Sequence, residues 1–142
     1  MKTITFITGT RADYGKIKSL ILELQKEKKK FKTHLIVTGM HNSKKHGSTY
    51  DAINKDKIKN CYNFNNQSDN FKMDLVLANT IKGINKFISK NRTDLIVVHG
   101  DRVESLAGAI TGCLNNIKVA HIEGGEVSGT IDEVLRHSIS KL

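Results

Sequence analysis

Proline and tryptophan are missing from this chain, aromatic residues make up only 6% of it, and cysteine occurs twice. Cys61 and Cys113 stand apart, in no CxxC or other metal-ligand spacing, so a disulfide framework is excluded and a reducing cytoplasm is the expected compartment. No apolar run approaches the roughly 18 residues of a membrane span. The short apolar stretch after Met1 breaks at Thr8-Gly9-Thr10-Arg11, too early and too polar for a signal peptide. No linker, repeat or low-complexity segment divides the chain. The absence of proline, with abundant lysine, asparagine and isoleucine, fits an AT-rich genome.

What is present is charge, unevenly placed. The net charge is +9, yet up to Arg92 there are 19 basic against 7 acidic residues, and from Thr93 onward 4 against 7. The basic surplus is mostly lysine, including Lys28-Lys29-Lys30 at an expected helix end, where cations oppose the helix dipole. With few aromatics and no nucleic-acid-binding motif, it reads as a solvated lysine surface and not as a nucleic-acid footprint. The chemistry-bearing residues gather in the acidic part.

Apolar spacing alternates between two periods. Thr3 to Thr8 reads as a buried strand, followed by a helical stripe of Ile17, Leu20, Ile21 and Leu24. His34 to Thr38 is a second strand and the region from Lys57 to Phe64 holds a short third one. Between them His41 to Asp56 is a polar loop with one or two helical turns, and Asn63 to Asn70 is a second polar loop. Leu77, Ile81, Ile84 and Ile88 mark a helix ending near Lys90, and Asp94 to Val98 a fourth strand. Val103, Leu106, Ala107, Ile110 and Leu114 mark the next helix, Ile117 to Ile122 a fifth strand, and a last helix begins near Thr130 or Ile131. Strands alternating with amphipathic helices predict an α/β fold: a Rossmann-like, doubly wound parallel sheet covered on both faces. One domain over residues 1–142 is expected. The chain ends at Ser140-Lys141-Leu142 inside a helical pattern without a stop signal, which reads as the N-terminal part of a longer polypeptide.

In such sheets ligands bind at the carboxyl ends of the strands. Three polar bursts fall there. Gly9-Thr10-Arg11-Ala12-Asp13 closes the first strand. The glycine there is suited to close approach of a ligand, the helix N-terminus to phosphate, and Arg11 to a bidentate contact. Equally, Thr10 can cap the helix and Arg11 be solvated. His99-Gly100-Asp101-Arg102 closes the fourth strand. Asp101 with Glu104 resembles a capping arrangement, and Asp101 at a strand end also suits general acid–base work. His121-Ile122-Glu123-Gly124-Gly125 closes the fifth. Glu123, between an apolar strand and two glycines, is expected among apolar walls that raise its pKa, with His121 pointing the same way if the strand continues. His99, Asp101, His121 and Glu123 are all potential metal ligands, but no short ligand pair on one element supports a metal site. Thr130-x-x-Glu133 is a capping box for the last helix, whose first turns carry Asp132, Arg136 and His137.

Together the segments Thr8–Leu20 (TGTRADYGKIKSL), Thr38–His41 (TGMH), Val97–Arg102 (VVHGDR) and His121–Leu142 (HIEGGEVSGTIDEVLRHSISKL) resemble the hydrolysing UDP-N-acetylglucosamine 2-epimerases, most closely the branch that opens sialic- and legionaminic-acid synthesis. The resemblance runs through the whole chain and covers the first domain of a two-domain GT-B arrangement; the nucleotide-holding C-terminal domain is not in this chain. It implies loss of UDP and of the C2 proton to give a 2-acetamidoglucal, then hydration to N-acetylmannosamine, with no metal or redox cofactor. Asp101, Glu123 and Asp132 match the family's catalytic acids. Arg11, with Thr10, matches the region near the substrate diphosphate, and His121, Arg136 and His137 are site neighbours. Met40 stands where the non-hydrolysing branch carries a glutamine, in keeping with the hydrolysing branch. The partners implied are a nucleotide-sugar substrate and a second subunit of a dimer, with neither nucleic acid nor membrane. The rivals are the same reaction on a nucleotide-linked 2,4-diacetamido-2,4,6-trideoxyhexose and a non-catalytic nucleotide-sugar-binding domain.

Overall fold

The computed structural model describes residues 1–43, 49–67 and 72–142. The strand β1 (Lys2–Thr8) alternates β-branched and apolar residues and is buried from Thr3 on, so it must lie inside a sheet. It pairs in parallel with β2 (Phe31–Val37) on one side, Lys2 opposite Phe31 and Thr8 opposite Val37, and with β4 (Leu95–His99) on the other. β3 (Cys61–Asn63) and β5 (Lys118–Ile122) form the edges, giving the order β3-β2-β1-β4-β5.

Helices cover both faces, as parallel connections require. Ile4, Phe6, Leu35, Val37 and Val97 project toward one layer, where they meet Tyr14, Ile17 and Ile21 of α1 (Arg11–Lys26) and Ile53 of α2 (Tyr50–Lys55). Ile7, Ile36, Ile96 and Val98 project to the other, against α3 (Met73–Ile88), α4 (Val103–Leu114) and Ile139 of α5 (Ile131–Lys141). The Rossmann-like, doubly wound sheet expected from the alternation is therefore the fold.

Local differences have simple causes. Leu20 and Leu114, assigned to core stripes, are 41% and 77% exposed. The arc of α1 that meets the sheet is filled by Tyr14, Ile17 and Ile21, and Leu114 is the last residue of its helix. The third strand has three residues, and the loop after β2 holds a 3-10 turn at Gly39–Asn42 as well as α2. Residues 44–48 of that loop, and 68–70 of the polar loop from Asn63 to Asn70, lie outside the described residues. Among the described residues no helix is long and apolar enough to cross a membrane.

Candidate functional site

The strand order reverses between β1 and β4, and the crevice beyond their carboxyl ends is where open α/β sheets place ligands. A cavity of about 380 Å³ opens there. The loop after β1 supplies Thr10, the first turn of α1 supplies Asp13, the end of β4 and its loop supply His99, Asp101 and Arg102, and the segment after β5 supplies Glu123. A second cavity of about 330 Å³, lined by Lys28, Lys32 and Lys59, adjoins Met1 and Phe31, near the start of β1 and β2, with no carboxylate in its lining.

Each side chain is placed by a local device. Thr10 has extended backbone and caps α1, its Oγ1 accepting from Asp13 N–H at 3.2 Å. That turn brings Asp13, only 7% exposed, under the crevice, where Oδ1 meets His99 Nδ1 at 3.2 Å. Arg11, beside it, is exposed at the start of α1 and does not line the cavity. Thr10 therefore takes its capping role while also lining the cavity.

Asp101 does not cap α4. The N-cap is Arg102, without a side-chain cap bond, and Asp101 instead receives a hydrogen bond from the guanidinium of Arg136, a buried residue of α5. Glu104, expected as its capping partner, is 2% exposed and accepts from Arg102 Nε at 3.1 Å. It occupies room cleared by two glycines: a Cβ on Gly9 would lie 2.8 Å from Glu104 Cδ, and one on Gly39, at φ +64°, 2.6 Å from Glu104 Oε1. The missing side chain of Gly9 thus makes space for a buried carboxyl, where the sequence reading had it making space for a ligand.

Glu123 departs furthest from expectation. β5 ends at Ile122, and Glu123 turns into the left-handed region at φ +56°, so it and His121 do not share a direction. Its side chain is 39% exposed, with Oε1 3.1 Å from Lys16 Nζ and Oε2 3.0 Å from His99 Nε2. Lys16 first, and His99 after it, hold the Glu123 carboxyl below its ordinary range, the opposite of the rise expected from apolar walls. His121 turns away from the cavity and braces its wall: Nε2 lies 2.6 Å from Gly100 O and Nδ1 2.7 Å from Ser140 Oγ.

α5 contributes unequally. Thr130 is its N-cap but makes no side-chain cap bond, while Glu133 does reach back, accepting from the N–H groups of Ser128 and Gly129. Those donors precede the N-cap, so neither bond of the expected box is made, and Glu133 instead ties down the turn before the helix. Arg136 lines the cavity and donates to Glu126 O at 2.9 Å. Asp132 is exposed on a neighbouring cavity of about 250 Å³ that shares Asp101 and Arg102 with the first. His137 is exposed and lines neither. The structure thus brings together Thr10, Asp101, Glu123 and Arg136, puts Asp132 next door, and leaves Arg11, His121 and His137 outside the cavity lining. Among the described residues no group of three or more His, Cys, Asp or Glu is placed to hold a metal ion.

Sequence reasoning assigned no site role to Asp13. A first-turn acid is ordinary in a helix, and its partner His99 lies 86 residues away. The one signal was that Asp13 lies in a strand-end burst, as His99 does.

Comparison with known proteins agrees with the fold. The UDP-N-acetylglucosamine 2-epimerase family model matches residues 23–142. A UDP-N-acetylglucosamine 2-epimerase of Neisseria meningitidis serogroup B is 47% identical over the whole chain, which spans 37% of that relative's length. A hydrolysing UDP-N,N'-diacetylbacillosamine 2-epimerase of Legionella pneumophila is 34% identical, again over the whole chain and 38% of its own length. Among solved structures, a Neisseria meningitidis UDP-GlcNAc 2-epimerase bound to UDP-GlcNAc superposes with a TM-score of 0.83 at 25% identity, over 99% of this chain and 38% of that one.

Proposed function

The chain belongs to the UDP-N-acetylglucosamine 2-epimerase family, and from that premise we propose that it is the N-terminal domain of a hydrolysing 2-epimerase that turns UDP-N-acetylglucosamine into N-acetylmannosamine and UDP. The observation that carries this reading is the meeting of Asp101 and Glu123, from the ends of neighbouring strands, in one cavity at the switch point of the sheet. In the reaction a carboxylate removes the C2 proton, C1=C2 forms, and the C1–O bond breaks to release UDP. A proton then returns to C2 from the other face while water adds at C1. Two or more carboxyl groups on different loops suit a reaction that handles a proton on both faces of one carbon. Asp101, Glu123 and Asp132 are assigned to that work as a set.

Thr10 and Arg11, at the N-terminus of α1, are assigned to the diphosphate, where backbone N–H groups and a guanidinium favour anions. Arg136 and His121 act behind Asp101, one holding its carboxylate and the other the Gly100 carbonyl before it. The domain that completes the cleft and holds the nucleotide lies beyond these residues, and the whole enzyme works as a dimer. Met40 in the Thr38–His41 segment supports the hydrolysing branch.

The Legionella relative's name supports a second substrate, a nucleotide-linked 2,4-diacetamido sugar, on which the same carboxyl groups would act because the reacting carbon is the same. The test is a coupled assay for UDP and free N-acetylmannosamine in D₂O, with the chain extended to the length of its relatives. Release of both, with deuterium at C2, is the expected result. Untouched UDP-N-acetylglucosamine beside turnover of the diacetamido sugar would move the assignment to that substrate, and inertness toward both would overturn the enzymatic reading.

A further inference from the structure

Three loops meet at His99. The residue closes β4 with 7% of its surface exposed, and its carbonyl accepts from Ser105 Oγ at 2.6 Å. Nδ1 lies 3.2 Å from Asp13 Oδ1 and Nε2 lies 3.0 Å from Glu123 Oε2. Asp13 is just as buried, and its other oxygen is 3.3 Å from Gly9 N. Of the other charged groups nearby, Lys16 holds the second oxygen of Glu123, Arg102 pairs with Glu104, and Asp101 pairs with Arg136.

A neutral imidazole has one N–H and one lone pair. If the N–H faces Asp13, a bare Nε2 would set its lone pair against a carboxylate oxygen of Glu123, which is repulsive. If it faces Glu123, the same conflict arises at Asp13. Hydrogen bonds at both nitrogens at once therefore call for a second proton, either on the ring or on a carboxyl group. Asp13 is buried and fixed by the Gly9 N–H, whereas Glu123 is partly exposed, so the mobile proton belongs between Nε2 and Glu123. The contact lies off the N–H axis, leaving Nε2 without an aligned hydrogen-bond partner, so a small rotation of the Glu123 carboxyl completes or breaks the bond.

We propose that Asp13 and His99 are positioning residues for Glu123, and that the His99–Glu123 contact stores one proton for the reaction at C2. With the proton on Nε2, Glu123 is a carboxylate. Its transfer to Oε2 makes Glu123 an acid and leaves a neutral ring whose Nδ1–H still points at Asp13. One N–H bond breaks, one O–H bond forms, and no electrons are exchanged with any other group. The proposal rests on the reading of Glu123 as part of the acid–base set.

The test uses the full-length protein and the variants Asp13→Asn, His99→Gln and Glu123→Gln. Asp13→Asn is expected to lower kcat by roughly 10- to 100-fold with KM nearly unchanged, and to displace the acid limb of the kcat–pH profile. His99→Gln combined with Glu123→Gln is expected to be no slower than Glu123→Gln alone, because the two act as one unit. An Asp13→Asn enzyme with normal kcat and profile, or fully additive losses in the double variant, would overturn the proposal. Should His99→Gln fail to fold, Asp13→Asn still decides. A readout free of turnover is the ¹⁵N resonances of the His99 ring: Glu123→Gln should move Nε2 and Asp13→Asn should move Nδ1. If the wild-type enzyme consumes neither sugar, the proposed function fails, whereas ring nitrogens indifferent to both substitutions would sink the proton store itself.

Discussion

Arg136 of α5 bonds the carboxylate of Asp101, although the two lie 35 residues apart on separate elements. The same guanidinium donates to the carbonyl of Glu126 and lies 3.4 Å from Ser128 Oγ. One buried cation thus pins the loop after β4, the segment after β5 and the start of α5 to each other. Replacing it with Met keeps the apolar stem and removes these bonds. Arg136→Met is expected to lower the unfolding free energy by about 2 kcal/mol in urea titrations, since hydrogen bonds to charged groups contribute more than neutral ones. An unchanged midpoint would show that α5 docks by its apolar contacts alone.

Asp101→Asn and Glu123→Gln in the full-length enzyme should each reduce turnover by roughly 100- to 10,000-fold while leaving the far-ultraviolet circular dichroism unaltered. Arg11→Ala is expected instead to raise KM. A variant of either carboxylate that turns over at near-normal rate would remove that residue from the catalytic set, and an unaltered KM in Arg11→Ala would detach Arg11 from the diphosphate.

Glu104 is housed by two glycines, so the glycines should resist substitution to different degrees. Gly9→Ala meets the Glu104 side chain, and about 1–3 kcal/mol of destabilisation is expected. Gly39→Ala meets the Gly9 carbonyl oxygen at 2.6 Å and must hold a left-handed φ, so it should cost more. Combining Gly9→Ala with Glu104→Ala should destabilise less than the sum of the two; strict additivity in urea midpoints would disprove the shared space.

Two buried histidines give the fold a sensitivity to acid. Burial lowers the pKa of His34, with help from Lys32, and burial also lowers that of His41 despite nearby carboxylates. In the unfolded chain both groups take up a proton near pH 6.5, while in the folded protein they do so only at lower pH. The unfolded state therefore binds more protons across that window, and stability present above about pH 6.5 is lost as pH falls. His34 Nδ1 is buried without a hydrogen-bond partner, so His34→Leu removes a group that gains nothing from being polar. The loss of urea midpoint between about pH 7.5 and 5.5 should be smaller in His34→Leu than in wild type; an equal loss would place the acid sensitivity elsewhere.

The strand-and-helix order was legible because each element's period is written locally, in Thr3 to Thr8 or in Leu77, Ile81, Ile84 and Ile88. The strand ends pointed to the crevice for the same reason. Pairwise geometry was not legible. The turn of Glu123 into left-handed backbone separates it from His121, and no spacing rule announces it. Glu104 matched a capping pattern with Asp101, yet space made by Gly9 and Gly39, distant in sequence, draws it inward. The rise expected for the Glu123 pKa failed because Lys16, 107 residues earlier, reaches its carboxylate.

The central position of β1 has a consequence for how this chain is made. Its pairing with β2 is available soon after the ribosome releases the first forty residues, but its other edge waits for β4. From the end of β2 at Val37 to the start of β4 at Leu95 the chain advances 58 positions (95 − 37), and at about 5–20 residues per second the nascent sheet carries a bare, apolar edge for roughly 3–12 seconds. A raw edge of that kind invites pairing with another chain. The crevice, too, is only a half-built wall until β5 emerges, so a nascent chain paused before Lys118 presents a crevice without Glu123.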